Sequence, residues 1–177
     1  ATTTIMQLHT QEDQSVWQDD IIREMLTSGA LEKSINDIGI RGLTSNPTIF
    51  EKAIAGGTAY DEAISELVRD GVDAHGIFES VAIKDIQDAC DLFRPIYDSS
   101  NGADGFVSIE VSPGAARDAD LTRREAKHLW EAVNRPNVMI KIPGTAEGVA
   151  VIKEMLALGI NINITLLFSI ANYEQVA

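Results

Sequence analysis

The chain has 177 residues, of which 45% are hydrophobic and 23% charged, the composition of one ordinary globular domain. Its net charge of −13 argues against a nucleic-acid partner and against anionic membranes, although a local basic pocket could still hold a small anion. A single cysteine, Cys90, excludes an internal disulfide framework and makes a reducing, cytoplasmic setting the expectation.

Residues 1–14 are polar, with neither a basic start nor an apolar core, so they read as a loosely held tail and not as a secretory leader. No apolar run approaches the ~20 residues of a membrane span. His9, His75 and His128 are scattered, and with one cysteine they give no metal-ligand spacing.

From Ser15 a short extended start turns into a helix, with Asp19 or Asp20 as a plausible N-cap. Ile22, Met25 and Leu26 carry the helical spacing, and Gly29 stops it. A second short helix uses Leu31, Ile35 and Ile38 and ends at Gly39. Residues 40–47 read as a strand closed by Pro47, with a helix on Ile49, Phe50 and Ile54 behind it. Helices fill the interval to residue 98. One rests on Ile64, Leu67 and Val68, the next on Ile77, Phe78, Val81, Ile86, Ala89, Cys90 and Phe93. On that face Cys90 reads as a core thiol and not as a nucleophile. A Ser/Asn/Gly loop covers 99–105. Residues 105–113 alternate as a strand. A helix follows with Ala126, Leu129, Trp130 and Val133 on one face. Next comes a strand from Val138 to Ile142, stopped by Pro143 and Gly144. A helix on Val149, Ile152 and Leu156 is closed by Gly159. Residues 160–167 alternate again, and Ser169 caps a last helix.

The strand at 138–142 is apolar except for Lys141. Such a run reads as a strand buried on both faces of a parallel sheet. Burial disfavours the ammonium form, and a neutral amine is a nucleophile that forms Schiff bases with carbonyls. The alternatives are a lysine that snorkels past the strand end or pairs with a buried carboxylate. From residue 105 onwards strands and helices alternate, which predicts βαβ units, a parallel sheet and right-handed crossovers. Polar residues then share strand faces: Ser108, Glu110 and Ser112; Met139 and Lys141; Asn161, Asn163 and Thr165; Gly42, Thr44 and Asn46. Under the helices of an open sheet, each unpaired polar group would cost roughly 1–3 kcal/mol. The inner rim of a (β/α) barrel is a better place for them. An open doubly wound sheet is the alternative. The sequence offers four clear strands and a fifth near Trp17, whereas a closed barrel needs eight.

Several blocks together resemble the transaldolase family in its long-chain form, found alone or fused to glucose-6-phosphate isomerase. They are Ser15-Val16-Trp17-Gln18-Asp19 with Arg23; Gly42 to Phe50 (GLTSNPTIF); Asp91-Leu92-Phe93-Arg94-Pro95; Val107 to Pro113 (VSIEVSP); Val138 to Thr145 (VMIKIPGT); and Asn163 to Ser169 (NITLLFS). The resemblance covers residue 15 to the end. It implies an α/β fold, a (β/α)8 TIM barrel of class I aldolase type, present here as its N-terminal part with about five of eight strands. The polar tail at 1–14 lies outside it, and the barrel part runs from 15 to 177.

The resemblance also implies a chemistry without metal or organic cofactor. Lys141 would form the Schiff base with a ketose phosphate such as fructose 6-phosphate or sedoheptulose 7-phosphate. Asp19, two residues after the tryptophan as the family's acid is, would take the proton from the hydroxyl beyond the scissile bond. The three-carbon unit left on Lys141 would pass to an aldose phosphate. Glu110 would act on a water held by Thr165, and Asn46 and Asn163 would bind the dihydroxyacetone hydroxyls. Duller roles stand beside these. Asn46 could shape a turn before Pro47, Glu110 could be a structural ion partner of Lys141, and Asn163 and Thr165 could fill a barrel layer. The family's phosphate-binding arginines and serine fall beyond Ala177, so a fragment of a longer transaldolase is expected. The partners implied are sugar phosphates, an isomerase domain fused or separate, and a second copy in a homodimer. An aldolase that releases the three-carbon unit to water, or a silent half-barrel serving as an assembly module, are the competing functions.

Overall fold

A computed structural model describes residues 2–177. Five strands, β1 (Trp17–Asp19), β2 (Gly42–Thr44), β3 (Val107–Glu110), β4 (Val138–Pro143) and β5 (Ile162–Thr165), form one parallel sheet. Their spatial order is their order in the chain. A doubly wound sheet reverses its strand order at a switch point. This sheet has none, which is the arrangement of a partial (β/α) barrel and disfavours the open alternative.

The reason lies in the strand faces. Leu43, Val107, Ile109, Val138, Ile140 and Ile142 are buried and cluster with the apolar residues of three long helices. These are α6 (Ala74–Ser99), α7 (Ala119–Val133) and α8 (Ala146–Ala157), numbered after α1 (Thr4–Glu12), α2 (Arg23–Thr27), α3 (Ala30–Lys33), α4 (Pro47–Ala55) and α5 (Asp61–Arg69). Right-handed crossovers put every connecting helix on the same side of the sheet. Ile86, Ala89, Cys90 and Phe93 from α6, Val133 from α7 and Met155 from α8 fill that side at 0% exposure. Burying one such aliphatic side chain contributes roughly 1.5–3 kcal/mol. Ile140→Ala would cost ~2–5 kcal/mol through the cavity it leaves. The opposite face keeps the alternate residues and carries the polar groups.

Helix starts follow their caps. Thr145 accepts from the Gly148 N–H at 3.0 Å to open α8, Asp118 from the Leu121 N–H at 2.9 Å to open α7, and Ser169 from the Asn172 N–H at 3.1 Å to open α9 (Ile170–Val176). At the far end of the sheet Trp17 lies across Gly42. A Cβ on Gly42 would stand 2.5 Å from the indole Cε2, so only glycine fits beneath the ring.

Four local expectations are corrected. Asp19 closes β1 and Asp20 follows it, and neither caps a helix; α2 starts at Arg23, and Ile22 in its N-cap position offers no side-chain cap. The strand expected over 105–113 ends at Glu110, and Pro113–Arg117 forms a 3₁₀ turn. On α8 the buried face is Gly148, Val151, Ile152 and Met155, while Leu156 is 54% exposed. Residues of the expected tail form α1, capped by Thr3, whose hydroxyl also donates to the Ile38 carbonyl. That carbonyl ends the π-helical stretch Ser34–Ile38. Ala1 lies outside the described residues. Among the described residues, no helix is long and apolar enough to cross a membrane.

Candidate active site

Lys141 sits between Ile140 and Ile142, both at 0% exposure on the helix side. Strand alternation therefore sends Lys141 to the polar face. Register supplies its neighbours: Glu110 of β3 is paired with Lys141, and Lys141 with Asn163 of β5. The Lys141 side chain is 10% exposed and that of Glu110 18%. Lys141 Nζ donates to the Ser45 carbonyl at 2.8 Å and stands 3.5 Å from Glu110 Oε2. Thr165 Oγ1 donates to Glu110 Oε1 at 3.3 Å. Asn163 Nδ2 donates to Ser108 Oγ at 3.0 Å. The side chain of Asn46 caps α4, accepting from the Ile49 N–H at 2.9 Å. That bond occupies its oxygen and leaves its NH₂ free to donate.

A cavity of about 740 Å³ opens on this face, with Asp19, Asn46, Lys52, Glu110, Lys141 and Thr165 in its wall. Asp19, at the C-terminal end of β1, is exposed. Five of the six residues singled out in the sequence thus line one cavity. Asn163 is absent from its wall but is half-buried beside Lys141 in the sheet. The C-terminal strand ends are where barrel sites are built. The turn after Glu110 is clamped from outside: Glu125 of α7 accepts from the Ser112 N–H at 2.7 Å and from its hydroxyl at 2.8 Å. Among the described residues no group of three His, Cys, Asp or Glu side chains is placed to hold a metal.

Sequence reasoning missed three parts of this arrangement. Ser45, at 0% exposure, provides the carbonyl that Lys141 uses, and its hydroxyl donates to the Ser108 carbonyl at 2.7 Å. Ser108, to which the sequence assigned no role, accepts from Asn163. Lys52 of α4 brings a second amine to the cavity. Of these, Ser108 had a signal, since it shares a strand face with Glu110.

A second polar cluster pins the chain just after Asp19. Arg23 Nε donates to Asp85 Oδ1 at 2.9 Å, the Tyr60 hydroxyl donates to Asp85 Oδ2 at 2.6 Å, and the Arg23 N–H donates to the Tyr60 hydroxyl at 3.2 Å. The Arg23 guanidinium lies 4.3 Å from the Tyr60 ring centroid. Burial pushes the Asp85 carboxyl above the usual carboxylate range, against the pull of Tyr60 and Arg23. Burial, and then the Asp85 hydrogen bond, push the Tyr60 hydroxyl well up.

The family model described as transaldolase/fructose-6-phosphate aldolase matches residues 16–177. The chain belongs to the transaldolase/fructose-6-phosphate aldolase family. Transaldolase 2 of Nostoc punctiforme is 47% identical over 167 residues, which are 94% of this chain and 44% of that protein. The transaldolase of Trichodesmium erythraeum is 47% identical over 164 residues, 93% of this chain and 43% of its own. That of Thiobacillus denitrificans is 46% identical over 163 residues, 92% and 45%. The chain therefore spans less than half the length of these transaldolase relatives. Family membership covers all five strands and the whole polar face described above.

Proposed function

We propose that this chain carries the Schiff-base part of a transaldolase site, acting on sugar phosphates in a cytoplasmic pentose phosphate pathway. The observation that carries the reading is the Lys141 amine, nearly out of water, 3.5 Å from Glu110 and in the wall of a cavity that Asp19 and Asn46 also line. We take the five strands from residue 15 on as the first five of an eight-stranded barrel. The in-order sheet and the share of the relatives that the chain spans support this.

Lys141 attacks the ketone carbon of the ketose phosphate. The new C–N bond forms as the carbonyl oxygen takes up protons and leaves as water. Glu110 and Thr165, already hydrogen-bonded to each other, hold the water that carries those protons. The iminium draws electrons from the adjacent C–C bond. Asp19 takes the proton of the hydroxyl beyond it, the bond breaks, and an aldose phosphate departs. The electron pair rests on the three-carbon unit as an enamine on Lys141. Asn46 donates through its free NH₂ and Asn163 accepts through its free oxygen, fixing that unit's hydroxyls. The unit then adds to a second aldehyde, the proton on Asp19 returns, and hydrolysis frees Lys141. Each acid–base group placed this way contributes ~10²- to 10⁴-fold.

A second reading is favoured by the family model's own description, which joins transaldolase to fructose-6-phosphate aldolase. Incubating the purified chain with fructose 6-phosphate, with and without erythrose 4-phosphate, tests both. Sedoheptulose 7-phosphate formed only with the acceptor supports transfer. Free dihydroxyacetone in equal yield without the acceptor supports the aldolase. Neither product from a folded chain leaves the half-barrel without an activity of its own.

A further inference from the structure

We infer that the Ser45 carbonyl is the hydrogen-bond acceptor for the iminium N–H formed on Lys141, and that it thereby fixes the side on which the ketose carbon stands. This rests on the transaldolase reading of Lys141.

The closest group to Lys141 Nζ is not the carboxylate. It is the Ser45 carbonyl at 2.8 Å, against 3.5 Å for Glu110 Oε2. That carbonyl has little freedom to move. Ser45 is fully buried, its hydroxyl donates to the Ser108 carbonyl at 2.7 Å, and the next two residues start α4 with the Asn46 cap and Pro47. That hydroxyl ties the end of β2 to β3.

A carbonyl oxygen can only accept, so it needs an N–H at every stage. The neutral amine has two. When Nζ bonds to the ketone carbon, one amine proton passes to the carbonyl oxygen. A second proton arrives through the water held by Glu110 and Thr165, the C–O bond breaks, and water leaves. One N–H remains on the positively charged nitrogen, in the plane of the C=N bond. With that N–H on Ser45, the ketose carbon and the lysine Cε take the two remaining in-plane directions, and both point away from the Ser45 carbonyl. Hydrogen bonds to charged donors are the stronger kind, so the carbonyl favours the protonated imine over the neutral one. It also leaves Glu110, 3.5 Å from the nitrogen, free to hold water instead.

Replacing Asn46 by its α-hydroxy analogue turns the Ser45–Asn46 amide into an ester. The Asn46 side chain stays, the Ser45 carbonyl becomes a poorer acceptor, and the N–H removed has no partner among the described residues. The readout is the rate of borohydride trapping of fructose 6-phosphate by intact mass, from neutral to alkaline pH. We expect trapping about five- to tenfold slower and its alkaline limb moved to lower pH, because a weaker acceptor lowers the imine's affinity for its proton. Ser45→Ala, which keeps the amide but cuts the tie to Ser108, is the second variant and decides the matter where the ester chain does not fold. It should slow trapping about two- to threefold and move the limb the same way. An unmoved limb in folded variants, whether trapping slows or not, overturns the role assigned to Ser45 while leaving the Schiff base standing. No adduct with the unaltered chain overturns the transaldolase reading itself, and this inference with it.

Discussion

Two of the polar clusters that lie largely out of water differ in what surrounds them. Around Asp85 every charge is matched: Arg23 and Tyr60 donate to its two oxygens at 2.9 and 2.6 Å, and helices close over the group. Around Lys141 the contacts to Glu110 are long, 3.5 Å from the amine and 3.3 Å from Thr165, and a cavity of about 740 Å³ stands open beside them. Both clusters hold buried charge, so buried charge alone does not mark a site. Short, closed, mutually satisfied contacts hold a fold together. Longer contacts facing a cavity leave room for a reacting molecule.

The contrast makes opposite demands on mutants of the two clusters. The largest effect belongs to Lys141→Ala, which should abolish borohydride-trapped adduct while far-UV circular dichroism stays that of the unaltered chain. An adduct of undiminished yield would remove the site from β4. Glu110→Gln keeps the shape and loses the charge, and should slow trapping by ~10²- to 10⁴-fold with the urea midpoint nearly unmoved. Asp85→Ala should do the reverse. It leaves the Arg23 charge buried without its partner, so stability falls by ~3–5 kcal/mol in urea unfolding. Trapping per folded molecule should be little changed. If Asp85→Ala kept its stability and lost its adduct, the division between a holding cluster and a reacting one would be wrong.

The smallest effect concerns Cys90. Burial pushes its thiol up from 9.0 to about 12, so in the folded chain it stays neutral. A raised folded value means the thiol's contribution to stability is complete below the unfolded value and is lost as pH climbs towards about 12. Alkylation of Cys90 should therefore be slow in the native chain and quicken with unfolding. Rapid alkylation under native conditions would contradict the packing of α6 against the sheet.

Much of this was legible in the amino-acid order. Alternation alone put Lys141, Glu110, Asn163 and Thr165 on the polar faces of their strands, because side chains in a strand change sides at every residue. The parallel sheet followed from strands and helices taking turns after residue 105. What alternation cannot give is register, so which of these groups stand opposite one another needed the sheet. Ser45 was invisible for a different reason: its contribution to Lys141 is a main-chain carbonyl, which every residue carries. Asp85 hid because its partners, Tyr60 and Arg23, are 25 and 62 residues away. On α8, Leu156 fits a helical stripe with Val149 and Ile152 as well as Met155 fits one with Val151 and Ile152. The helix closes on Pro143 at Gly148, and the buried face is the one that includes Gly148. Helix α1 depends on docking against Gly39, where a Cβ would meet Met6 Cγ at 2.6 Å, a contact no local pattern announces.

Two amines line the cavity, the nearly buried Lys141 on β4 and the exposed Lys52 on α4. Mapping the adduct left by borohydride and fructose 6-phosphate onto the digested chain sets one against the other. The label should sit on Lys141 alone. A label on Lys52, or an unmodified Lys141 in a folded chain, would contradict the assignment of the reacting nitrogen to the fourth strand.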